Sequence, residues 1–311
     1  MVVKIVTDST ADLPTQVAQQ LGITVVPVYL RFGDEVYRDG VDINCDEFYQ
    51  RLESSPVHPT TSQPTPEDFA KVYRELSKET DEIVSVHIPQ KVSGTYNSAL
   101  QARELVATKS HVEVVDSFSV SMGLGLIVMA AARLAQAGAS LPGVMEEIKQ
   151  AIPQIHLLGI FDTLKYLVRG GRVGKAKALL GSLLSVKPVI TMRDGELVPA
   201  GLARTRAKGI ERLFDLVKNA LDIQEVAIVH STTPDEANSL KERIASIFAP
   251  ERIHLARLGP GLGVHGGPGT LILALRGKVS GIRQEVSGIE ALKKRIPLPP
   301  LHIPHLRFSS L

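Results

Sequence analysis

Short runs rich in Val and Ile recur along this chain, separated by segments whose apolar residues return at helical spacing. The strand-like runs are "VVKIVTDS", "GITVVPVYLRF", "EIVSVHIP", "VEVVDSFS", "IHLLGIFDT", "KPVITMRDG", "EVAIVHSTT", "RIHLARLGP" and "TLILALRGK". Pro66 to Thr80 and Leu126 to Ala137 are examples of the helical ones. Alternation of this kind predicts α/β units. The first few strands are almost continuously apolar, as a parallel, doubly wound (Rossmann-like) sheet covered on both faces requires.

After about residue 160 the texture changes. "LVRGGRVGKAKALLGSLLSVKPVI" brings glycines, cations, and Leu179, Leu180, Leu183 and Leu184 on what reads as one helix face. A chain of 311 residues is long enough for two domains. The expected organisation is an N-terminal α/β domain over 1–160, a second domain over 161–278, and an extension over 279–311. The extension is Pro-rich after Arg295 and locally basic, with five Lys or Arg against two Glu.

Composition excludes several classes. Lys plus Arg is 35 and Asp plus Glu is 33, so the net charge of +2 gives no argument for nucleic acid. A single Cys, Cys45, forms neither an internal disulfide nor a zinc or redox motif, which fits a reducing compartment. The N-terminus lacks the pattern of a signal peptide. The longest apolar run, Met122 to Ala132, stops at Arg133, short of the roughly 18 residues of a membrane span. These features point to the cytoplasm and to no integral membrane segment.

Four stretches set small polar residues directly after a strand, where doubly wound sheets bind ligands. "VTDSTADLP" offers Asp8, Ser9 and Thr10; "PTTSQPTPEDF" offers Thr60, Thr61 and Ser62; "HIPQKVSGTYNSA" offers Ser93 and Gly94; "VVDSFSVSMGLG" offers Asp116, Ser117 and Ser121. A hydroxyl at a helix start caps free amides, and the same amides and helix dipole attract an anion. Both readings stand for Ser93. A fifth element, "GPGLGVHGGPG" from 259 to 269, packs six glycines around His265 and reads as a loop presenting amides to an anion. It is neither a Walker loop nor a dinucleotide fingerprint. The histidines show no metal-ligand spacing, and Ser93 lies in no nucleophile elbow, so neither a metal site nor a catalytic triad is expected.

Together "VTDSTADLP", "TSQPTPEDF", "SGTYNSA", "VVDSFSVSMGLG", "LVRGGRVGKAKALLGSLLSVKPVI" and "GPGLGVHGGPGTLILAL", in this order, resemble the DegV family. That family includes the fatty-acid-binding subunits of bacterial fatty acid kinase. The resemblance spans about residues 1–277 and implies two α/β domains with a long-chain fatty acid between them. It places the carboxylate at Thr61, Ser93 and His265, with the Gly94 amide close by. It implies Ser117, Ser121 and Gly266 as further pocket residues, and no cofactor besides the bound lipid. Arg169 and Arg172 resemble the region the family uses for docking a partner, a separate ATP-binding kinase subunit. The acyl tunnel is expected to draw walls from Leu126 to Met129 and Leu179 to Leu184. The alternatives are an acyl hydrolase or transferase using Ser93 or His265, and a lipid-responsive interaction protein without a kinase partner.

Overall fold

The computed structural model describes residues 2–106, 110–182 and 186–279. Leu183, Leu184 and all of the basic extension except Val279 lie outside the described residues. Strands β1 (Lys4–Asp8), β2 (Ile23–Val26), β6 (Glu82–His87) and β7 (His111–Asp116) form one sheet in the order β2-β1-β6-β7. Every pairing in it is parallel, as the continuous apolar runs predict. The run read as a single strand from Gly22 to Phe32 is two, because Pro27 has no N–H for a ladder. Beyond Pro27, β3 (Tyr29–Phe32) pairs antiparallel with β4 (Glu35–Arg38) and β5 (Thr60–Ser62) in a small separate sheet.

The second large sheet runs β10-β9-β8-β13-β11-β12. Its strands are β8 (Ile155–Ile160), β9 (Lys187–Arg193), β10 (Glu196–Ala203), β11 (Ala220–His230), β12 (Ile253–Arg257) and β13 (Leu271–Val279). Only β11 and β12 pair in parallel. Membership of β8 means that this sheet begins at Ile155, ahead of residue 160.

The helices are α1 (Thr15–Gln20), α2 (Cys45–Ser54), α3 (Pro66–Leu76), α4 (Thr95–Leu105), α5 (Met122–Gln136), α6 (Leu141–Ala151), α7 (Lys165–Arg169), α8 (Arg206–Lys218), α9 (Pro234–Ala245) and α10 (Pro260–Gly266). α5 carries the longest apolar run because it is buried all round. Leu124, Ile127, Val128 and Ala131 face the parallel sheet together with α6. Met122, Leu126 and Met129 pack on Leu157, Val229 and Ile272 of the other sheet. One helix thus joins both sheets into a continuous core. α3 and α4 cover the far face of the first sheet, and α8 and α9 that of the second. The stretch bearing Leu179 is a 3-10 helix over Gly174–Ser182, with Leu179 packed beside Phe161, Leu164 and Leu167.

α3 starts where it does because Thr65 and Asp68 cap it reciprocally. The Asp68 N–H donates to Thr65 Oγ1 at 3.2 Å, and the Thr65 N–H donates to Asp68 Oδ2 at 2.8 Å. Tyr29 of β3 adds its hydroxyl to the same carboxylate at 3.0 Å. This pins the segment Thr61 to Pro64 at both ends. Thr65→Ala is expected to lower the unfolding free energy by about 1 kcal/mol in urea titrations, without a change of slope.

Candidate functional site

A cavity open to solvent lies beyond the carboxyl ends of β1 and β6, with about 810 Å³ of space free of protein atoms when the solvent at its mouth is counted. There the parallel sheet reverses its strand order, the usual ligand crevice of an open α/β sheet. Its wall is mostly apolar: Val28, Ile88, Val92, Val120, Leu258 and Ile272 come from both halves of the chain. Its polar side carries Thr10, Thr61, Gln63, Ser93, Arg172 and His265.

Each polar side chain has a local reason for its place. Thr61 is opposite Leu30 in the β3–β5 ladder, which fixes the face it presents. Ser93 stands two residues ahead of α4. The helix cap is Gly94, and Ser93 Oγ instead accepts the Thr95 N–H at 3.3 Å and pairs with Thr95 Oγ1 at 2.8 Å. Ser93 is therefore not the cap of α4 that its position suggests. Gly94 packs against the end of the Gln63 side chain, which a Cβ at 94, 2.9 Å away, would push aside.

His265 is on a short helix, where the glycine density suggested a loop. Its Nε2 lies 2.9 Å from Thr61 Oγ1. Its Nδ1 is buried against Gly170, where a Cβ would fall 2.1 Å away, and has no hydrogen-bond partner among the described residues. Desolvation, then the neighbouring Arg172 and His58, push the imidazole down to about 4, so the ring is neutral at pH 7. Arg172 donates to the Gly170 carbonyl at 2.8 Å and to the Val92 carbonyl at 3.4 Å, spanning the mouth between the two halves.

The structure brings Thr61, Ser93, Gly266 and His265 to one cavity, with Gly94 adjoining through Gln63. Ser117 and Ser121 are outside its lining. Ser117 donates to the Ser119 carbonyl at 2.9 Å, and Ser121 to Asp12 Oδ2 at 2.5 Å, one layer behind the wall. Arg172 is at the mouth, whereas Arg169 is exposed on α7 and outside the lining. Leu126 to Met129 and Leu179 do not line it either, because the first group is committed to the inter-sheet core and Leu179 to its own cluster. Gln63 and the apolar wall were not singled out from the sequence. "TSQP" held the only signal for Gln63.

A buried relay runs beside the site. Asp8 Oδ2 is 2.9 Å from His87 Nδ1, His87 Nε2 is 2.7 Å from Ser85 Oγ, and the Tyr73 hydroxyl donates to Ser85 at 2.8 Å. The order of groups matches a Ser–His–Asp triad. Ser85, His87 and Asp8 are each 0% exposed, so no substrate reaches that hydroxyl, and the relay works as a satisfied polar core. Asp8 also takes the Thr10 hydroxyl and backbone N–H, which holds Thr10 at the cavity edge.

A family model described as an uncharacterised protein of the DegV family matches residues 2–277. The chain belongs to the DegV family. A DegV domain-containing protein of Caldanaerobacter subterraneus subsp. tengcongensis is 36% identical over 269 residues, covering 86% of this chain and 95% of the relative. The solved structure of a DegV family protein from Thermus thermophilus, described by its fatty acid binding, is 37% identical with a TM-score of 0.82, covering 89% of this chain and 100% of that one. DegV from Bacillus subtilis, described as a fatty acid binding protein, is 30% identical with a TM-score of 0.81, covering 89% and 100%. Among the described residues of this DegV family chain, no group of three or more His, Cys, Asp or Glu is placed to hold a metal ion. No described helix is long and apolar enough to cross a membrane.

Proposed function

We propose that this protein binds a long-chain fatty acid, with the carboxylate at Thr61, Ser93, Gly94 and His265 and the hydrocarbon along the apolar wall. The observation that carries this reading is a largely apolar cavity whose polar end holds a desolvated, neutral imidazole bonded to a threonine hydroxyl. If Nε2 of His265 carries the proton and gives it to Thr61 Oγ1, the Thr61 O–H is free to donate outward to a carboxylate. The opposite tautomer would use that proton up. Ser93 adds a hydroxyl, and the start of α4 adds its dipole. Each buried methylene contributes about 0.8 kcal/mol, so roughly fifteen dominate affinity before ordering costs, and the polar end fixes orientation.

No described base reaches Ser93, whose hydroxyl pairs with Thr95, which favours a binding protein over an acyl hydrolase. Arg172 leaves exposed positive charge at the mouth, and Lys165 and Arg169 leave more on α7, whose Leu167 lines the cavity. In this reading they meet the acidic face of an ATP-binding kinase subunit, to which the bound carboxylate is presented.

Organic extraction and mass spectrometry of the purified protein are expected to show stoichiometric long-chain fatty acid, and added fatty acid to raise the melting temperature. Neither result appearing would sink the reading. Ser93→Ala and Thr61→Val are expected to weaken binding of added oleate about tenfold each while the fold persists, the loss expected for a hydrogen bond to a charged group. Unchanged affinity in both removes them from the site.

A further inference from the structure

α10, which carries His265, is a helix that its own sequence does not support. It has seven residues, PGLGVHG, three of them glycine. An interior glycine costs about 0.5–1 kcal/mol relative to alanine, and isolated helices below about 12 residues are marginal. Its geometry is imposed from outside. A Cβ at Gly261 would stand 2.6 Å from Val28 and 2.7 Å from Asp39 Oδ2, and one at Gly263 would stand 2.6 Å from Phe48.

Two carboxyl groups of the N-terminal half hold its head. Asp12 Oδ1 accepts the Gly259 N–H at 2.8 Å, and Asp39 Oδ2 accepts the Gly261 N–H at 3.1 Å. Asp12 and Asp39 are 7% and 5% exposed. Asp12 has left-handed backbone with φ +52°, and its other oxygen takes the Ser121 hydroxyl at 2.5 Å. Ser121 has φ +54°, with its own N–H given to the Thr10 carbonyl at 2.8 Å. Such backbone costs about 1–3 kcal/mol at a residue other than glycine and persists only where its surroundings fix it. Two strained residues therefore converge on the cap amide of the His265 helix, that of Gly259.

We propose that Asp12 and Asp39 are positioning residues of the carboxylate site: through the Gly259 and Gly261 amides they set α10 so that His265 meets Thr61. Neither lines the cavity, so both act through the helix. The proposal rests on the fatty-acid reading above, which gives the His265–Thr61 pair its use.

The test measures oleate binding by calorimetry on delipidated, full-length protein, with the His265 ring nitrogens followed by NMR in labelled samples. Asp39→Asn keeps a carbonyl oxygen for the Gly261 amide and is expected to bind within about threefold of wild type. Asp39→Ala removes the acceptor; it is expected to bind at least tenfold more weakly, with the His265 resonances displaced. Equal affinity in the two variants with unmoved resonances overturns the proposal. Should Asp39→Ala fail to fold, Ser121→Ala frees one oxygen of Asp12 by deleting one atom. It is expected to weaken oleate severalfold and displace the same resonances, and no change in either overturns the proposal. A wild-type chain that binds no oleate overturns the fatty-acid reading itself, before any variant is compared.

Discussion

Gly170→Ala is expected to weaken fatty acid binding by one to two orders of magnitude while leaving the protein folded. Gly170 follows α7 with φ −76° and ψ −2°, a conformation open to alanine, so the backbone does not object. The objection is steric. The new Cβ would stand 2.1 Å from Nδ1 and 2.6 Å from Cε1 of His265, so the ring must leave its place against Thr61. Overpacking of this kind costs about 1–3 kcal/mol of stability. Loss of a hydrogen bond to a charged group costs about 1.5–3 kcal/mol of binding, hence the expected factor. Titration of oleate into wild type, Gly170→Ala, His265→Ala and the double variant checks the route. If the alanine acts through the imidazole, adding it to His265→Ala changes nothing further. A full additional loss in the double variant would show that Gly170 acts elsewhere.

How much of this site is legible in the sequence depends on whether a residue's role is local. Thr61, Ser93 and His265 stand in short stretches whose small polar residues and glycines already mark candidate positions, but it is the resemblance to the DegV family that singles them out there. Gly94 is legible as a glycine, but the side chain it packs against, Gln63, is 31 residues earlier in the chain and adjacent only in the fold. Ser121 misleads for the same reason. It follows a strand of the parallel sheet, as site residues do, yet its left-handed backbone turns the hydroxyl to Asp12 behind the wall. The apolar wall is illegible, because Val28, Val120 and Ile272 come from different sheets and loops and read as ordinary core. The fold shows the same division. The parallel sheet is written in continuous apolar runs, and the break at Pro27 in a single residue. That α5 serves two sheets at once is visible only as an apolar run too long for one face.

Asp39 also makes stability depend on pH in a direction unusual for a carboxyl group. Burial, and then the charge of Asp8, outweigh the hydrogen bonds from Ser9 and the Gly261 amide, and raise its carboxyl from the ordinary 3.8 to about 7. Between those values the folded chain keeps a proton that the unfolded chain has lost, so the unfolding free energy falls as pH rises. The contribution is complete below pH 3.8 and lost above about 7, a change on the order of 4 kcal/mol. Asp12, raised by its own burial, has the same sign. His265 opposes them. Its imidazole falls from 6.5 to about 4, so the unfolded chain binds the extra proton in that window and stability rises with pH there. The wild-type curve therefore mixes two opposed trends, and Asp39→Asn removes one of them. Urea titrations from pH 4 to pH 8 are expected to show the Asn variant gaining on wild type by several kcal/mol, with the gain levelling off above about pH 7. A difference that stays flat across the range would mean that Asp39 is already ionised in the folded chain. The Gly261 amide would then be held by a full negative charge, and the neutral Asn would be a poor substitute for it in binding as well as in stability.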